Sequence, residues 1–216
     1  MASSRTCVNS VTIPNGQVRA CLGYAHTRRM PRCARGTVEA GEYHVYTRSP
    51  GKVPFFLDDV DRTDFCNRLH RVMPKLRWRC LAFALLTTHY HLILQVEENR
   101  LQPGMQWLNG TYAQRFNKRH ERWGHLCGSR YSLVAIESRP QRMRTFRYVA
   151  LNPVEAGLVA RPQDWPWSSY AGTAGYAKPF AFVDDEPVRE CFGLDSEGLE
   201  FLRAFVEEAA DPVTKL

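Results

Sequence analysis

His89 and His91 stand two apart in His89-Tyr-His-Leu-Ile-Leu-Gln-Val96, a stretch that reads as a strand. Alternate strand residues share a face, so both imidazoles project the same way from Cα atoms roughly 6.5–7 Å apart. That spacing lets two rings converge on one metal ion. It equally suits two buried histidines satisfied by hydrogen bonds. A metallo-hydrolase of the H-x-H-x-D type wants Asp at position 93, and a nucleotide hydrolase of the H-x-H-x-H type wants His there. The chain has Ile93, and both readings fail. A two-histidine site needs a further ligand, and a divalent ion would keep open positions for substrate or water. Tyr148 and Asn152 lie four apart on one helical face, with Arg144 a turn earlier on the same stripe. The amide oxygen of Asn152 is a hard ligand suited to Mg²⁺ or Mn²⁺, and the Tyr148 oxygen is a potential nucleophile. A free phenol, with a pKa near ~10, attacks poorly at neutral pH unless a metal or guanidinium groups favour the phenolate. On pattern alone the ordinary roles stand beside these: Tyr148 is one of nine tyrosines, and Asn before Pro commonly ends a helix.

The elements that must position these residues follow from periodicity. Glu42–Arg48 is rich in aromatic and β-branched residues and reads as a strand. Asp58-Asp-Val-Asp61 begins a helix through Lys75, with Phe65, Leu69 and Val72 at helical spacing and Pro74 expected to close it. Trp78–Leu86 is a continuous apolar run of the length of a buried central strand, and Thr87-Thr88 turns it into His89–Val96 as a hairpin. Pro103–Arg119 carries Met105, Leu108, Tyr112 and Phe116 at spacings of three and four, an amphipathic helix with a basic end. Ser132–Ile136 is a short strand, and Arg139–Leu151 a long helix that Asn152-Pro153 is expected to stop. One more helix falls near Ser196–Ala209. The order β-α-β-β-α-β-α describes a ferredoxin-like α+β sandwich with an antiparallel sheet.

Composition narrows the class. The 216 residues, 44% of them hydrophobic, suffice for a core and suggest one domain with room for an appendage. Residues 1–29 lack a sustained period and read as a poorly ordered leader, either upstream of a true start at Met30 or a genuine flexible arm. Residues 30–175 then form the main domain, and 176–216 an acidic helical extension that shields a basic cleft or caps the fold. From Lys178 onward there are 4 basic and 10 acidic side chains, whereas residues 1–175 hold 25 basic and 12 acidic ones. Such a body suits a polyanionic partner, and is also compatible with an ordinary soluble enzyme. No apolar run approaches the ~18 residues of a membrane span, and no signal-peptide pattern opens the chain. Seven cysteines, never closer than twelve positions, form no C-x-x-C pair. That argues against a zinc ribbon, a thioredoxin motif or a secreted disulfide scaffold, and favours a reducing cytoplasm.

Between Arg100 and Arg147 there are 10 basic and 2 acidic residues, which makes this stretch the expected surface for a polyanionic partner. Arg115, Lys118, Arg119 and Arg122 cluster after one helix, while Arg139, Arg142, Arg144 and Arg147 decorate the next. With few acidic partners nearby, these groups are expected to neutralise phosphates rather than pair on a solvated face. Arg130-Tyr131 and Trp167–Tyr170 could add base stacking, although Trp165 and Trp167 are more often core.

Taken in order, several motifs resemble the REP-associated tyrosine transposases, single-tyrosine members of the HUH (His, bulky hydrophobic, His) superfamily. They are Met30-Pro-Arg32, Tyr43-His-Val45, Thr88-His-Tyr-His-Leu92, Tyr112-x3-Phe116-Asn117, Arg147-Tyr148-x3-Asn152-Pro-Val-x-Ala-Gly-Leu-Val159 and Trp167-Ser-Ser-Tyr170. The resemblance runs from about residue 30 to 172. It implies a DNA strand-transfer enzyme on a ferredoxin-like or RRM-like antiparallel sheet with helices on one face and a small C-terminal helical tail. By this resemblance His89, His91 and Asn152 match the ligands of a divalent metal (Mg²⁺ or Mn²⁺). Tyr148 matches the tyrosine that attacks the scissile phosphate to form a 5′-phosphotyrosine and a free 3′-hydroxyl. Arg32 and Arg35 sit where the family reads a short tetranucleotide beside a DNA hairpin. Implied partners are single-stranded or hairpin DNA, for a monomer or homodimer at the nucleoid with no membrane role. Many relatives have Asn where this chain has Thr88, which spares both ligands but alters a neighbouring contact. The rival readings are a non-catalytic nucleic-acid-binding module, with structural histidines, and a catalytically retired relative that still binds hairpins.

Overall fold

The structure, a computed structural model, describes residues 38–51, 53–128 and 130–208. The expected leader, and with it Arg32 and Arg35, lies outside the described residues. Four strands, β1 (Gly41–Arg48), β2 (Arg79–Leu85), β3 (His89–Val96) and β4 (Ser132–Ile136), form one antiparallel sheet in the order β2-β3-β1-β4. Helices α1 (Asp59–Leu76) and α2 (Leu101–Arg119) connect strands; α3 (Arg139–Glu155), α4 (Tyr170–Thr173), α5 (Glu186–Arg189) and α6 (Ser196–Glu207) follow. The α+β ferredoxin-like order read from periodicity is the order observed.

Both faces of the sheet are covered, because the central strands are apolar on both. Tyr90, Leu92, Leu94 and Val45 pack with Phe55, Phe65, Leu69, Leu108 and Tyr112 in a core under α1 and α2. Ile93, Ala82 and Ala84 pack with Phe146, Val149 and Ala150 of α3 in a second core. Helices on a single face therefore describe α1 and α2 but not α3. The alanines of β2 leave room for α3 to lie close, which sets the depth at which its side chains meet β3. Val188 of α5 and Leu202 and Val206 of α6 belong to that same second core, so the acidic segment is built into the fold.

Two helix ends differ from expectation, and both involve proline. Pro74 sits inside α1, which runs on to Leu76 and stops where Arg77 turns left-handed at φ 54° with its N–H on Met73 O. Pro153 sits inside α3, which continues to Glu155. In each case proline falls in the last turn, where it removes one i−4 hydrogen bond but the helix runs only two residues further before it closes. The consequence for α3 is positional: Asn152 remains helical and keeps its place one turn beyond Tyr148. Among the described residues, no helix is long and apolar enough to cross a membrane.

Candidate active site

Strand pairing assembles the floor of the site. Tyr46 pairs with His91 and Arg48 with His89, and directly opposed residues share a face. Alternation adds His44 on β1 to the same face, while Tyr90 turns to the opposite one and is buried with its hydroxyl on Asn109 Oδ1 at 2.6 Å.

His91 is 3% exposed, and its Nδ1 lies 2.9 Å from Nε2 of His44. Its own Nε2 is buried without a hydrogen-bond partner. His89 meets the Thr88 hydroxyl through Nδ1 at 3.1 Å, and its ring stands at 84° to that of His91 with centroids 5.1 Å apart. Thr88 thus gives the His89 ring a hydroxyl partner at Nδ1. If each Nδ1 carries its proton toward His44 or Thr88, both Nε2 lone pairs are left for an external partner. Burial favours the neutral rings required. It lowers the pKa of His44 and of His89 to about 4 each, and holds His91 well below the usual imidazole range, with help from neighbouring positive charge.

Helix α3 supplies the other half. The Tyr148 ring stands edge-on to His91 (centroids 5.4 Å, 85°) and to His44 (5.8 Å, 75°). Asn152 is 6% exposed, and its Nδ2 donates to Tyr148 O at 2.7 Å, which turns its Oδ1 away from that carbonyl. The carboxamide lies near enough to both imidazoles and to the phenol to oppose their pKa shifts, without a hydrogen bond to His91 Nε2. Burial raises the Tyr148 phenol above its ordinary value, so the oxygen is protonated at neutral pH.

The donors present fit a divalent cation. An orphaned buried Nε2 is an uncommon cost for a folded protein, and a metal bond would satisfy it. His89 Nε2 and Asn152 Oδ1 complete a neutral N, N, O set that suits Mn²⁺ or Mg²⁺ with open positions. Among the described residues no group of three His, Cys, Asp or Glu side chains is placed to hold an ion; the third donor here is an amide.

The basic residues divide. Arg119 is tied to Asp58 at 2.7 Å and to buried Asp61 at 2.6 Å, and Arg142 to Glu42 at 2.6 Å. The expected shortage of acidic partners therefore fails for these two, because strands and helices distant in sequence bring the carboxylates to them. Arg147 lies 4.5 Å above the Phe205 ring, and burial lowers its pKa. Arg139 donates to the carbonyl of Cys191 at 2.7 Å. Arg115, Lys118, Arg130 and Arg144 are exposed. Trp165 and Trp167 spend their indole N–H groups on Leu85 O (3.0 Å) and Asp59 (2.7 Å), which makes them structural. Residue-type reasoning missed two participants: His44 as partner of His91, and exposed Arg48 beside His89. The alternation His44-x-Tyr46-x-Arg48 was the available signal, but only strand register shows which histidines it faces.

The family of IS200-like transposases matches residues 37–152. No curated protein matches the chain. Among solved structures, a REP-associated tyrosine transposase bound to a REP hairpin is similar at TM-score 0.59 and 17% identity, covering 72% of this chain and 93% of that one. A candidate transposase from Deinococcus radiodurans R1 aligns at TM-score 0.37 and 18% identity, over 55% of this chain and 95% of its own. The first of these shows the shared fold.

Proposed function

The chain belongs to the IS200-like transposase family, and from that premise we propose that it cuts and rejoins single-stranded DNA beside hairpins through Tyr148, with a divalent metal. The observation that carries this reading is the convergence of four side chains from two elements. His91 keeps a buried Nε2 without a hydrogen-bond partner, the His89 ring lies 5.1 Å from it, Asn152 comes close enough to interact with both, and the phenol of Tyr148 stands edge-on to His91.

His89, His91 and Asn152 would hold the ion, while His44 and Thr88 orient the two rings by accepting their Nδ1 protons. A bound divalent cation would supply Lewis-acid polarisation of a phosphoryl oxygen. Tyr148 Oη attacks the scissile phosphorus as its proton leaves to water. The new O–P bond replaces the bond to the 3′-oxygen, which departs and takes up a proton from water as a 3′-hydroxyl. The 5′-phosphotyrosine conserves the phosphoester, so reversal on another strand needs no nucleotide cofactor. Arg48, on the same face beside His89 and without a carboxylate partner among the described residues, is placed to neutralise the phosphate. Arg115, Lys118, Arg130 and Arg144 would track the flanking backbone. Residues 30–175 form the catalytic domain in this reading, and 176–216 an extension whose α5 and α6 pack against α3. In this arrangement α3 places the nucleophile and Asn152 over the histidines of the same chain. Hairpin recognition and location at the nucleoid follow from the family resemblance; the solved transposase with its REP hairpin supports the former by fold.

The test is a labelled hairpin oligonucleotide incubated with protein and Mn²⁺ or Mg²⁺. A denaturation-resistant protein–DNA adduct is expected, lost in Tyr148→Phe and in His89→Ala. Tight hairpin binding with no adduct under either metal would overturn the catalytic reading and leave a binding protein.

A further inference from the structure

The segment between α2 and β4 holds the most exposed large apolar side chain of the described residues, Trp123, at 96%. Its setting is ordered. Asn117 Nδ2 donates to Gly124 O at 2.8 Å, and Arg122 N to Asn117 O at 2.9 Å, so one residue of α2 ties the loop on both sides of the indole. Glu121 and Gly124 turn left-handed, at φ 49° and 95°. The Arg122 guanidinium rests 5.6 Å above the ring of buried Phe116. A loop so pinned does not bury its tryptophan, although nothing in its hydrogen bonding requires an aromatic residue there.

Trp123 forms one wall of an open hollow of about 690 Å³, with Lys118 and Arg122 as its cations and Gln114, Asn117 and Glu121 as polar neighbours. The same loop runs on to the catalytic end of the sheet. Gly128 N donates to Arg48 O at 3.2 Å, Arg48 pairs with His89, and Ser132 at the start of β4 pairs with Tyr46 beside His91.

We propose that this hollow is a binding subsite for one unpaired nucleotide of single-stranded DNA, with its base stacked on the Trp123 indole and its phosphate held by Lys118 and Arg122. This deepens the function proposed above and rests on its DNA-binding part, not on catalysis. The chemistry selects the ligand. An exposed indole beside two cations suits a planar π-face attached to an anion, and stacking of that kind tolerates any base. The amide of Gln114 and the carboxylate of Glu121 can meet amino groups on the base edge, and the carboxylate repels the phosphate toward the cationic side. Duplex DNA keeps both faces of each base in its own stack, so it cannot occupy the site in this way.

The experiment uses the full chain in the Tyr148→Phe background with metal chelated, so that no cleavage is needed. Indole fluorescence and affinity are measured with a 12-nucleotide single strand and with the same sequence as a blunt duplex. Single-strand binding should quench fluorescence that is absent in Trp123→Ala, and this variant should bind roughly 5- to 150-fold more weakly, with duplex affinity little changed. Trp123→Tyr should recover most of the loss. Lys118→Ala should lower the slope of log affinity against log salt by about 0.7. Unchanged single-strand affinity in Trp123→Ala, or equal losses on single strand and duplex, overturns the subsite. So does a variant that alters only self-association, which would assign the indole to a second copy of the chain. Quenching by DNA in a protein whose Tyr148 form makes no adduct leaves the subsite standing and removes catalysis; an adduct with Trp123 unquenched does the reverse.

Discussion

The two faces of β3 show how one strand is used in opposite ways. Tyr90 and its neighbours Leu92 and Leu94 enter a core of aromatic rings, and the one polar atom Tyr90 brings is satisfied by Asn109. One residue along, His91 is as deeply buried, yet its Nε2 finds no partner. At Tyr90 the buried polar atom is paired, as is usual; at His91 it is not, and the unpaired nitrogen lies beside a phenol and a carboxamide. The same contrast divides the cations. Arg119 is engaged by two carboxylates and serves the fold, whereas Lys118, its neighbour in sequence, is exposed on the rim of the hollow under Trp123.

Removing the same atom from the two faces gives the largest expected difference. Tyr148→Phe should abolish the covalent adduct. Tyr90→Phe should keep adduct formation and lose about 1–2 kcal/mol of stability, because Asn109 forfeits its donor. Equal behaviour of the two variants in gel and melting assays would erase the contrast. Next, His44→Leu takes away the acceptor of the His91 Nδ1 proton, and Mn²⁺ should bind about 10- to 100-fold more weakly by calorimetry. His44→Gln, whose carbonyl can accept that proton, should recover part of the affinity with an unchanged circular dichroism spectrum. If leucine binds Mn²⁺ as well as histidine, His44 is packing alone.

Among the cations, Arg119→Ala should lower the unfolding midpoint and leave the salt dependence of DNA binding as it was. Lys118→Ala should do the opposite. The smallest effect concerns acid. Asp58 caps α1 through the N–H groups of Val60 and Asp61, and the Arg119 hydrogen bond lowers its pKa to about 2 from the ordinary 3.8. A carboxyl depressed in the folded state binds its proton first in the unfolded chain, so its stabilisation is present above about pH 3.8 and vanishes as pH falls through 2. The difference in midpoint between the natural chain and Asp58→Asn, which keeps a capping side chain, should therefore close over that window. High salt should shrink it, since the pair is partly exposed. A gap that persists at pH 2 would assign the effect to something other than the ion pair.

Much of this was legible before any fold was known. Period-two alternation assigned His89 and His91 to one face and Tyr90 to the other, and period-four spacing put Tyr148 and Asn152 on one stripe of α3. Such patterns are local: each depends on the geometry of a single element. The prolines misled because their cost depends on position within the helix, and Pro153 in a last turn does not end α3 before Asn152. The arginine counts misled because partners such as Asp58 and Asp61 for Arg119, or Glu42 for Arg142, lie far along the chain.

The order of residues along the chain thus determined the elements, their facing sides and the kinds of atom each would present. Only the packing of α3 across the alanines of β2, and the register of β1 against β3, decided that those atoms meet. An imidazole becomes an orphaned donor only when the surrounding elements exclude water and supply it one partner instead of two, and that count is a property of contacts between segments, which no single segment contains.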